Sequence, residues 1–362
     1  MDNSKKILIA DASQFDRSVM DDALKNTYTI LETQTGLKAL ELFIEEVDNI
    51  KLAIIDIAIP LMDGFDVLQH IKRLDKAKSI PVILTSKDAV KEDILKAFQY
   101  GAADFMTKPF EADFLRQRVL ALLSNSSKIP GTALTNLVTS SEADIDEIKE
   151  YDKSLNKTLR NLFSYRQIET PYHLKRVSLF TGTLLKILAK NSSSGVNLSE
   201  SQIELIIRAS IYHDIGKIAI PDDILRRKSN LTDKQRLIYQ THTAKGAEVL
   251  EINTNPSLHS FIQLAVNIAQ NHHENWDGSG YPNKLKGNEI PLSAQVVRLA
   301  TDFDKFSRDI YGITDTVFEV AMEKVLELQQ MYNPMLIRAL AHSEFVMNKI
   351  MDKYSDSSKK TK

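Results

Sequence analysis

The chain of 362 residues contains no cysteine. That absence excludes disulfides, thiolate metal sites and thiol nucleophiles, so any bound metal must be held by histidine and carboxylate. An excess of one charge is also lacking. Lys and Arg number 46 against 48 Asp and Glu, a net of −2, which gives no reason to expect nucleic acid or an anionic membrane surface as a partner. Long apolar runs are missing too. The run from Leu52 to Leu61 is broken by Asp56 and falls far short of the ~20 residues a bilayer span needs. Met1 to Lys6 leads into the short apolar segment Ile7 to Ala10, too short for a signal-peptide core. No membrane insertion is expected, and the cytoplasm is the default location. What is present is ordinary: 43% apolar and 26% charged residues. At roughly 150 residues per domain, the chain has room for two domains.

Between residues 5 and 123, short β-like runs alternate with helical patterns. Ile7-Leu8-Ile9-Ala10 ends at Asp11, Leu52-Ala53-Ile54-Ile55 at Asp56, and Pro81-Val82-Ile83-Leu84 at Thr85. Ala103-Asp104-Phe105-Met106 runs on to Lys108, and helical stretches cover 36–47, 64–74 and 90–99. Continuous apolar strands alternating with helices predict a doubly wound α/β domain, its parallel sheet covered on both faces. In such sheets, function gathers at the carboxyl ends of the strands, where Asp11, Asp56, Thr85 and Lys108 fall. Loop residues that merely cap strand ends would explain any one of them; four at successive ends point to shared chemistry. Asp56 suits nucleophilic attack on a phosphoryl donor. Lys108 and a divalent cation would neutralise the added charge, and Thr85 would donate to a phosphate oxygen.

A polar stretch follows. Ser124-Asn125-Ser126-Ser127, Pro130, Gly131 and Ser140-Ser141 read as a linker over 124–145 that leads into a helix, started near Ser141 or Asp144. Ile145, Ile148, Tyr151, Leu155, Leu159 and Leu162 then recur at three- and four-residue steps and form one apolar stripe. The stripe suits packing on its own domain or pairing with a second copy as a homodimer. From Ser355 the chain is polar and lysine-rich, so 355–362 is expected to fray.

Residues 146–354 show helical apolar patterns at 174–188, 203–213, 259–271 and 314–329, so this region is expected to be all-α. It holds a notable histidine set: His173, His213, His242, His272 and His273 are five of the eight in the chain. Glu169 and His173 stand at i and i+4 and would share a helix face. Asp214 has two oxygens and can bridge two ions. His272 and His273 would point apart on a helix and serve different ions. Asp302 follows the apolar residues Val296-Val297 and Leu299-Ala300, which would hold it from one side. Imidazole and carboxylate without thiolate suit Fe, Mn, Zn or Ni. Two such ions about 3.5–4 Å apart can clamp both oxygens of an in-line displacement at phosphorus. His272-His273-Glu274-Asn275-Trp276-Asp277-Gly278-Ser279-Gly280-Tyr281-Pro282 runs from two imidazoles into a Gly-rich turn, as a ligand-touching loop would.

Two resemblances follow from these residues. Over about 120 residues the first half resembles the receiver domain of two-component response regulators. Asp56 with Pro60-Leu61-Met62-Asp63-Gly64, and Lys108-Pro109-Phe110, carry the match. The resemblance implies a five-stranded receiver over 1–123, phosphorylated on Asp56 by a histidine kinase, with Asp11, Thr85, Lys108 and Mg²⁺ around it. Receivers usually have two consecutive acids after the first strand, the second ligating magnesium; here the pair is Asp11-Ala12, which predicts weakened Mg²⁺ binding.

From about 165 to 340 the chain resembles the HD-GYP subgroup of the HD phosphohydrolases. Glu169-Thr170-Pro171-Tyr172-His173, His213-Asp214-Ile215-Gly216-Lys217-Ile218-Ala219-Ile220-Pro221 and His272 to Pro282 carry the match, with His242, Gly246, Gly287 to Pro291 and Asp302 in the expected order. The resemblance implies hydrolysis of cyclic di-GMP to linear pGpG and onward to GMP, at two or three ions of iron or manganese. It implies Glu169, His173, His213, Asp214, His242, His272, His273 and Asp302 as ligands, with Asp214 bridging. Lys217 would orient a phosphate oxygen or protonate the leaving 3′-oxygen; its plainer role is an ion pair with Asp214. Gly280 and Tyr281 would meet the substrate. Departures from the pattern are Gln295 where an arginine is common, Asp302-Phe303-Asp304-Lys305 in place of Asp-x-x-Asp-Ala-Leu, Tyr332-Asn333-Pro334 in place of a Gly…Asp-Pro pattern, and Arg227-Lys228-Ser229 in place of Lys-Pro-Gly. An expected Arg-Pro-Tyr segment is replaced by residues up to Tyr311. Arg298, Lys305 and Arg308 are candidates to replace the missing phosphate-binding cations. The alternatives are a sensor or scaffold that binds nucleotide or a protein partner at the Tyr281 loop, and a phosphodiesterase for a related dinucleotide such as cyclic GMP-AMP.

Overall fold

The computed structural model describes residues 5–88, 90–124, 142–166, 168–170, 172–191, 194, 196–227, 230–252, 255–310 and 317–356. Most of the linker and tail, with Pro171, Lys228, Ser229 and Tyr311, lie outside the described residues. Two compact units divide the chain, broadly up to residue 128 and from 129 onward. Among the described residues no helix is long and apolar enough to cross a membrane.

The first unit is a parallel sheet of order β2-β1-β3-β4-β5. Its strands are β1 (Lys6–Ala10), β2 (Thr29–Thr33), β3 (Ile50–Asp56), β4 (Val82–Ser86) and β5 (Asp104–Thr107). Helices α1 (Gln14–Leu24), α2 (Gly36–Glu45), α3 (Gly64–Arg73), α4 (Lys91–Gln99) and α5 (Ala112–Ser124) alternate with them. Ile7, Leu8, Ile9, Leu52, Ile54 and Ile83 are fully buried because helices cover both faces. β2 is the exception. It lies at the edge, only partly buried, and Thr-Ile-Leu-Glu-Thr makes no continuous apolar run. The register pairs Ala10 with Ile55 and Asp56 with Thr85, which brings the strand ends of the pocket side by side.

Helices are the only regular elements among the described residues of the second unit. It contains α6 (Glu142–Arg166), α7 (His173–Lys190), α8 (Glu200–Ala209), the short α9 (Asp222–Leu225) and α10 (Asp233–Gln240). After these come α11 (His242–Glu251), α12 (His259–Asn271), α13 (Leu292–Ile310), α14 (Val317–Glu327), α15 (Pro334–Ala341) and α16 (Glu344–Lys353). Of the α6 stripe, Ile148 and Leu159 are buried, Tyr151 and Leu155 are half-buried, and Leu162 is exposed. Asp152 on α6 accepts a hydrogen bond from the Tyr212 hydroxyl at 2.9 Å and pairs with Arg208 of α8 at 2.9 Å. These contacts favour packing of α6 on its own unit over pairing with a second copy.

Three local expectations need correction. The 203–213 helix stops at Ala209 and tightens into two 3₁₀ turns, Ser210–Tyr212 and Ile215–Ala219, so His213 and Asp214 sit in a kinked connection. Glu169 lies in a bend before α7 rather than on a helix with His173. His272 and His273 follow the end of α12, in a turn.

Candidate functional site

The kinked connection can press against α11 only because its contact residue is glycine. A Cβ on Gly216 would stand 1.9 Å from the His242 carbonyl oxygen and 2.4 Å from the Gly246 nitrogen. This close approach carries Asp214 to His242. Helix α12 delivers His272 and His273 at its C-terminus, and α7 begins at His173.

Two groups of side chains converge, and Asp214 belongs to both. His173, His213 and Asp214 form one; Asp214, His242, His272 and His273 form the other. His213 Nε2 lies 3.2 Å from Asp214 Oδ2, while His242 Nε2 and His272 Nε2 lie 3.4 and 3.6 Å from Oδ1. The two oxygens thus face different imidazole sets, as a bridging carboxylate requires.

The far ring nitrogens are already committed. His213 Nδ1 is 2.8 Å from the Ser210 carbonyl, His242 Nδ1 is 2.7 Å from that of Tyr239, and His272 Nδ1 is 3.0 Å from that of Ala269. A carbonyl only accepts, so each Nδ1 carries the proton and each Nε2 presents a lone pair. For His173 the partner of Nδ1 is the Asp304 carboxylate, at 2.7 Å. The Nε2 atoms of these four histidines and Asp214 Oδ1 are buried without a hydrogen-bond partner among the described residues. So many orphaned buried acceptors at one point are too costly for plain packing. The donor set fits divalent cations. Burial pushes His242 down to about 3, lowers His272 and takes His273 well below its ordinary value, which keeps these rings neutral, as ligands must be.

Lys217 stands between carboxylates. Its Nζ is 2.6 Å from Glu169 Oε1 and 2.7 Å from Asp214 Oδ2. Burial opposes its charge, but the two carboxylates outweigh it and hold the ammonium well above its ordinary range. Asp214 responds in kind: burial opposes its charge, yet Lys217 and His213 take it well below the usual carboxylate range. Glu169 also lies 3.9 Å from His173 Nε2, so it borders the first group without helical spacing.

Asp302 is not brought into either group. Its carboxylate is taken by Arg298, at 3.1 Å, and by the Tyr332 hydroxyl, which donates at 2.7 Å. The acid on α13 that meets a histidine of the groups is Asp304. Burial opposes its charge, but His173 and Arg176 outweigh that and take it to about 2. Arg176 Nε lies 2.5 Å from Asp304 Oδ1, and Arg308 Nε lies 2.9 Å from Oδ2. Nothing in the local sequence places Asp304 at the centre, because the partners that bring it there, Arg176 and His173, lie 128 and 131 residues away. The expected divergence of His272 and His273 also fails: their ring centroids are 4.2 Å apart, and both join the same group.

The loop after His273 is tightly built. Tyr281 stacks on the His273 ring at 4.8 Å with 17° between planes. A Cβ on Gly280 would lie 2.3 Å from the Asn275 nitrogen, so the loop needs glycine there. Buried Glu274, unremarked in the sequence, accepts from the N–H groups of Asn283 at 2.6 Å and Leu285 at 3.0 Å. Arg298 Nη1 stands 3.4 Å from His273 Nδ1 and its Nε bonds Asn275 at 3.2 Å, which puts a cation beside the stack. The other candidate cations differ. Lys305 is exposed on α13, and Arg308 is committed to Asp304. Gln295, where a cation was expected, bonds the Ile290 carbonyl at 2.6 Å and Asn333 at 2.8 Å, a structural task.

In the first unit, Asp11, Asp56 and Lys108 meet. Lys108 Nζ is 2.5 Å from Asp11 Oδ2, is also bonded to Asp56, and lies 3.2 Å from Asp16. Burial opposes the Lys108 charge, but Asp11 and Asp56 outweigh it and raise the group. Asp56 Oδ1 also accepts the Ala58 N–H at 2.7 Å. Thr85 Oγ1, beside Asp56 in the register, is buried without a hydrogen-bond partner among the described residues.

Comparison with known proteins matches each unit separately. The HD domain family matches residues 145–334, and the response regulator receiver domain family matches 7–120. Over 358 residues the chain is 32% identical to a probable cyclic di-GMP phosphodiesterase of Vibrio cholerae, covering 97% of this chain and 80% of that protein. Over 349 residues it is 31% identical to a cyclic di-GMP phosphodiesterase of Thermotoga maritima, covering 93% and 90%. Over 195 residues it is 34% identical to a 3'3'-cGAMP-specific phosphodiesterase of Vibrio cholerae, covering 54% and 35%.

Proposed function

This chain belongs to the HD domain family and carries a response regulator receiver domain, and from that premise we propose that its helical unit hydrolyses cyclic di-GMP to pGpG under receiver control. The observation that carries the reading is the set of orphaned Nε2 atoms around the two oxygens of Asp214. In this reading His173, His213 and Asp214 would hold one ion, and Asp214, His242, His272 and His273 would hold a second. Glu169 is the carboxylate left for a third. Iron or manganese suits these nitrogen and oxygen donors. When bound, the ions supply the Lewis acidity that displacement at phosphorus requires.

The chain's own residues do the rest. Lys217, kept protonated by Asp214 and Glu169, is placed to hand a proton to the leaving 3′-oxygen. Tyr281 on His273 makes an aromatic wall for a guanine, and Arg298 faces the phosphate. Asp304 holds His173 in the ligating tautomer. In the receiver, Asp56 accepts a phosphoryl group from a histidine kinase, with Lys108 and Thr85 around it.

A second reading draws on the commitments of the cations. Arg298 is shared with Asp302 and Asn275, and Arg308 with Asp304, which weakens the grip on phosphate and favours a related dinucleotide such as cyclic GMP-AMP or binding without turnover. The test is anaerobic purification with elemental analysis, then initial rates on both dinucleotides, with His213→Ala as the blank. Bound metal with faster cyclic di-GMP cleavage supports the first reading. Faster cyclic GMP-AMP cleavage supports the related-substrate reading, and bound metal with no turnover supports a sensor.

A further inference from the structure

The missing second acid after β1 has a structural answer one helical turn later. Ala12 is exposed and offers no ligand. Asp16, in the first turn of α1, instead reaches into the pocket, with Oδ2 3.2 Å from Lys108 Nζ. The backbone path fixes this reach. Ser13 caps α1 by accepting the Asp16 N–H at 3.2 Å, and the Ser13 N–H donates to Asp11 Oδ1 at 2.9 Å. Asp11, Asp16 and Asp56 therefore all gather on one ammonium. Arg17, the nearby cation, is spent elsewhere, on the Asp11 carbonyl at 2.7 Å and on Glu32 at 3.3 Å. Three carboxylates against Lys108 leave a double negative charge uncompensated, which a divalent cation matches.

A separate observation points to a ligand at the same place. Thr85 Oγ1 is fully buried and has no hydrogen-bond partner among the described residues. Its residue pairs in register with Asp56, so the two side chains stand on the same face of the sheet. A hydroxyl left unpaired there awaits an oxygen acceptor such as a phosphoryl group.

We propose that Asp16 supplies the carboxylate that Ala12 lacks, and with Asp11 and Asp56 binds the magnesium ion needed to phosphorylate Asp56. Magnesium is bound through a few carboxylates together with phosphate oxygens, and affinity falls as ligand charge is removed. The plain alternative is that Asp16 only pairs with Lys108. The inference is independent of the hydrolase reading, because its readout is labelling of the receiver.

The experiment uses the full chain and acetyl phosphate as donor. The phosphorylated fraction is read by phosphate-affinity electrophoresis across a magnesium titration, with Asp56→Asn as the blank. Asp16→Asn should raise the magnesium concentration for half-maximal labelling by about tenfold or more. The double variant Ala12→Asp/Asp16→Asn should return it to within about threefold of the wild type, since the new acid restores the ligand charge. An unchanged midpoint in Asp16→Asn overturns the proposal. So does a double variant that stays as weak as Asp16→Asn, or a wild type that is not labelled at any magnesium concentration.

Discussion

The two units each hold a lysine between carboxylates, yet they treat it differently. Lys108 is met by Asp11, Asp16 and Asp56, and its one charge is shared among the three carboxylates. Lys217 is met by Asp214 and Glu169, but beside it four imidazole nitrogens stay without hydrogen-bond partners among the described residues. A lysine can stand in for a cation among carboxylates, because they accept any positive charge. It cannot satisfy imidazole nitrogens arranged around a point, of which those of His242 and His272 belong to rings that burial keeps neutral. The receiver pocket therefore has part of its charge matched without an ion, whereas the helical centre is left with buried polar atoms that only a metal or protons can meet.

The sharpest way to break this comparison is to remove the shared carboxylate. Asp214→Ala should cut turnover by at least about a thousandfold, since the carboxylate belongs to both groups of side chains that could hold an ion. Elemental analysis should show both ions lost, whereas His213→Ala should spare the group built by His242, His272 and His273. Retention of the full metal complement in Asp214→Ala would contradict a bridging role.

Next in size is the effect of the lysine itself. Lys217→Met leaves Asp214 and Glu169 without their buried counter-charge, which should cost the metal-free protein about 3 kcal/mol in denaturant unfolding. Adding manganese should recover most of that loss, because the ions replace the missing charge. An equal loss with and without manganese would show that Lys217 and the metal do not share the same carboxylates.

Asp304 tests how far the organisation extends beyond the ligands. Asp304→Asn keeps the shape but removes the charge that fixes His173 and pairs with Arg176. Metal affinity should fall by about 10–100-fold, with little change in overall secondary structure. Competition with a chelator measures it, and an unchanged affinity would reduce Asp304 to a packing residue.

That residue also marks where the sequence stopped being legible. Strands buried on both faces read as apolar runs, so β1, β3, β4 and β5 stood out, whereas edge strand β2 did not. Histidines adjacent to acids or to each other announced the helical centre. Asp304 gave no such signal, since its place depends on how α13 packs against α7, and Asp302 attracted notice through its apolar neighbours instead. Asp16 was hidden for a similar reason: only the α1 cap shows that its side chain turns back to Lys108. The i, i+4 spacing of Glu169 and His173 suggested the right proximity for the wrong reason, because the chain bends between them.

Acid should separate the units further. His242 is held down to about 3 by burial, while an unfolded histidine titrates near 6.5. Between those values the unfolded state binds the extra proton, so stability rises with pH there and is lost as pH falls from about 6.5 toward 3. His272 and His273, lowered in the same direction, add to the effect, while His173 works against it: burial opposes its charge, but Glu169 and Asp304 outweigh that and raise it. Metal-free protein should therefore show the helical unit melting earlier at pH 5 than at pH 7.5, and bound manganese should shift the curve upward at the higher pH most. A helical unit equally stable at both values would mean that the three lowered rings do not outweigh His173.

The smallest expected effect falls on Lys305. It lies on α13 with Arg298 and Asp302, yet it is exposed and holds none of the groups around the centre. Exposed charges act through water and salt, so their contribution to a phosphate contact is small beside that of a half-buried arginine. Lys305→Ala should change kcat/KM for the dinucleotide by less than about threefold, whereas Arg298→Ala should lower it by about tenfold or more. The ratio of the two separates a cation built into the wall beside His273 from one that only lends charge to the surface. If Lys305→Ala is the more damaging, the substrate lies over the outer face of α13 instead of against the stacked His273 and Tyr281 rings.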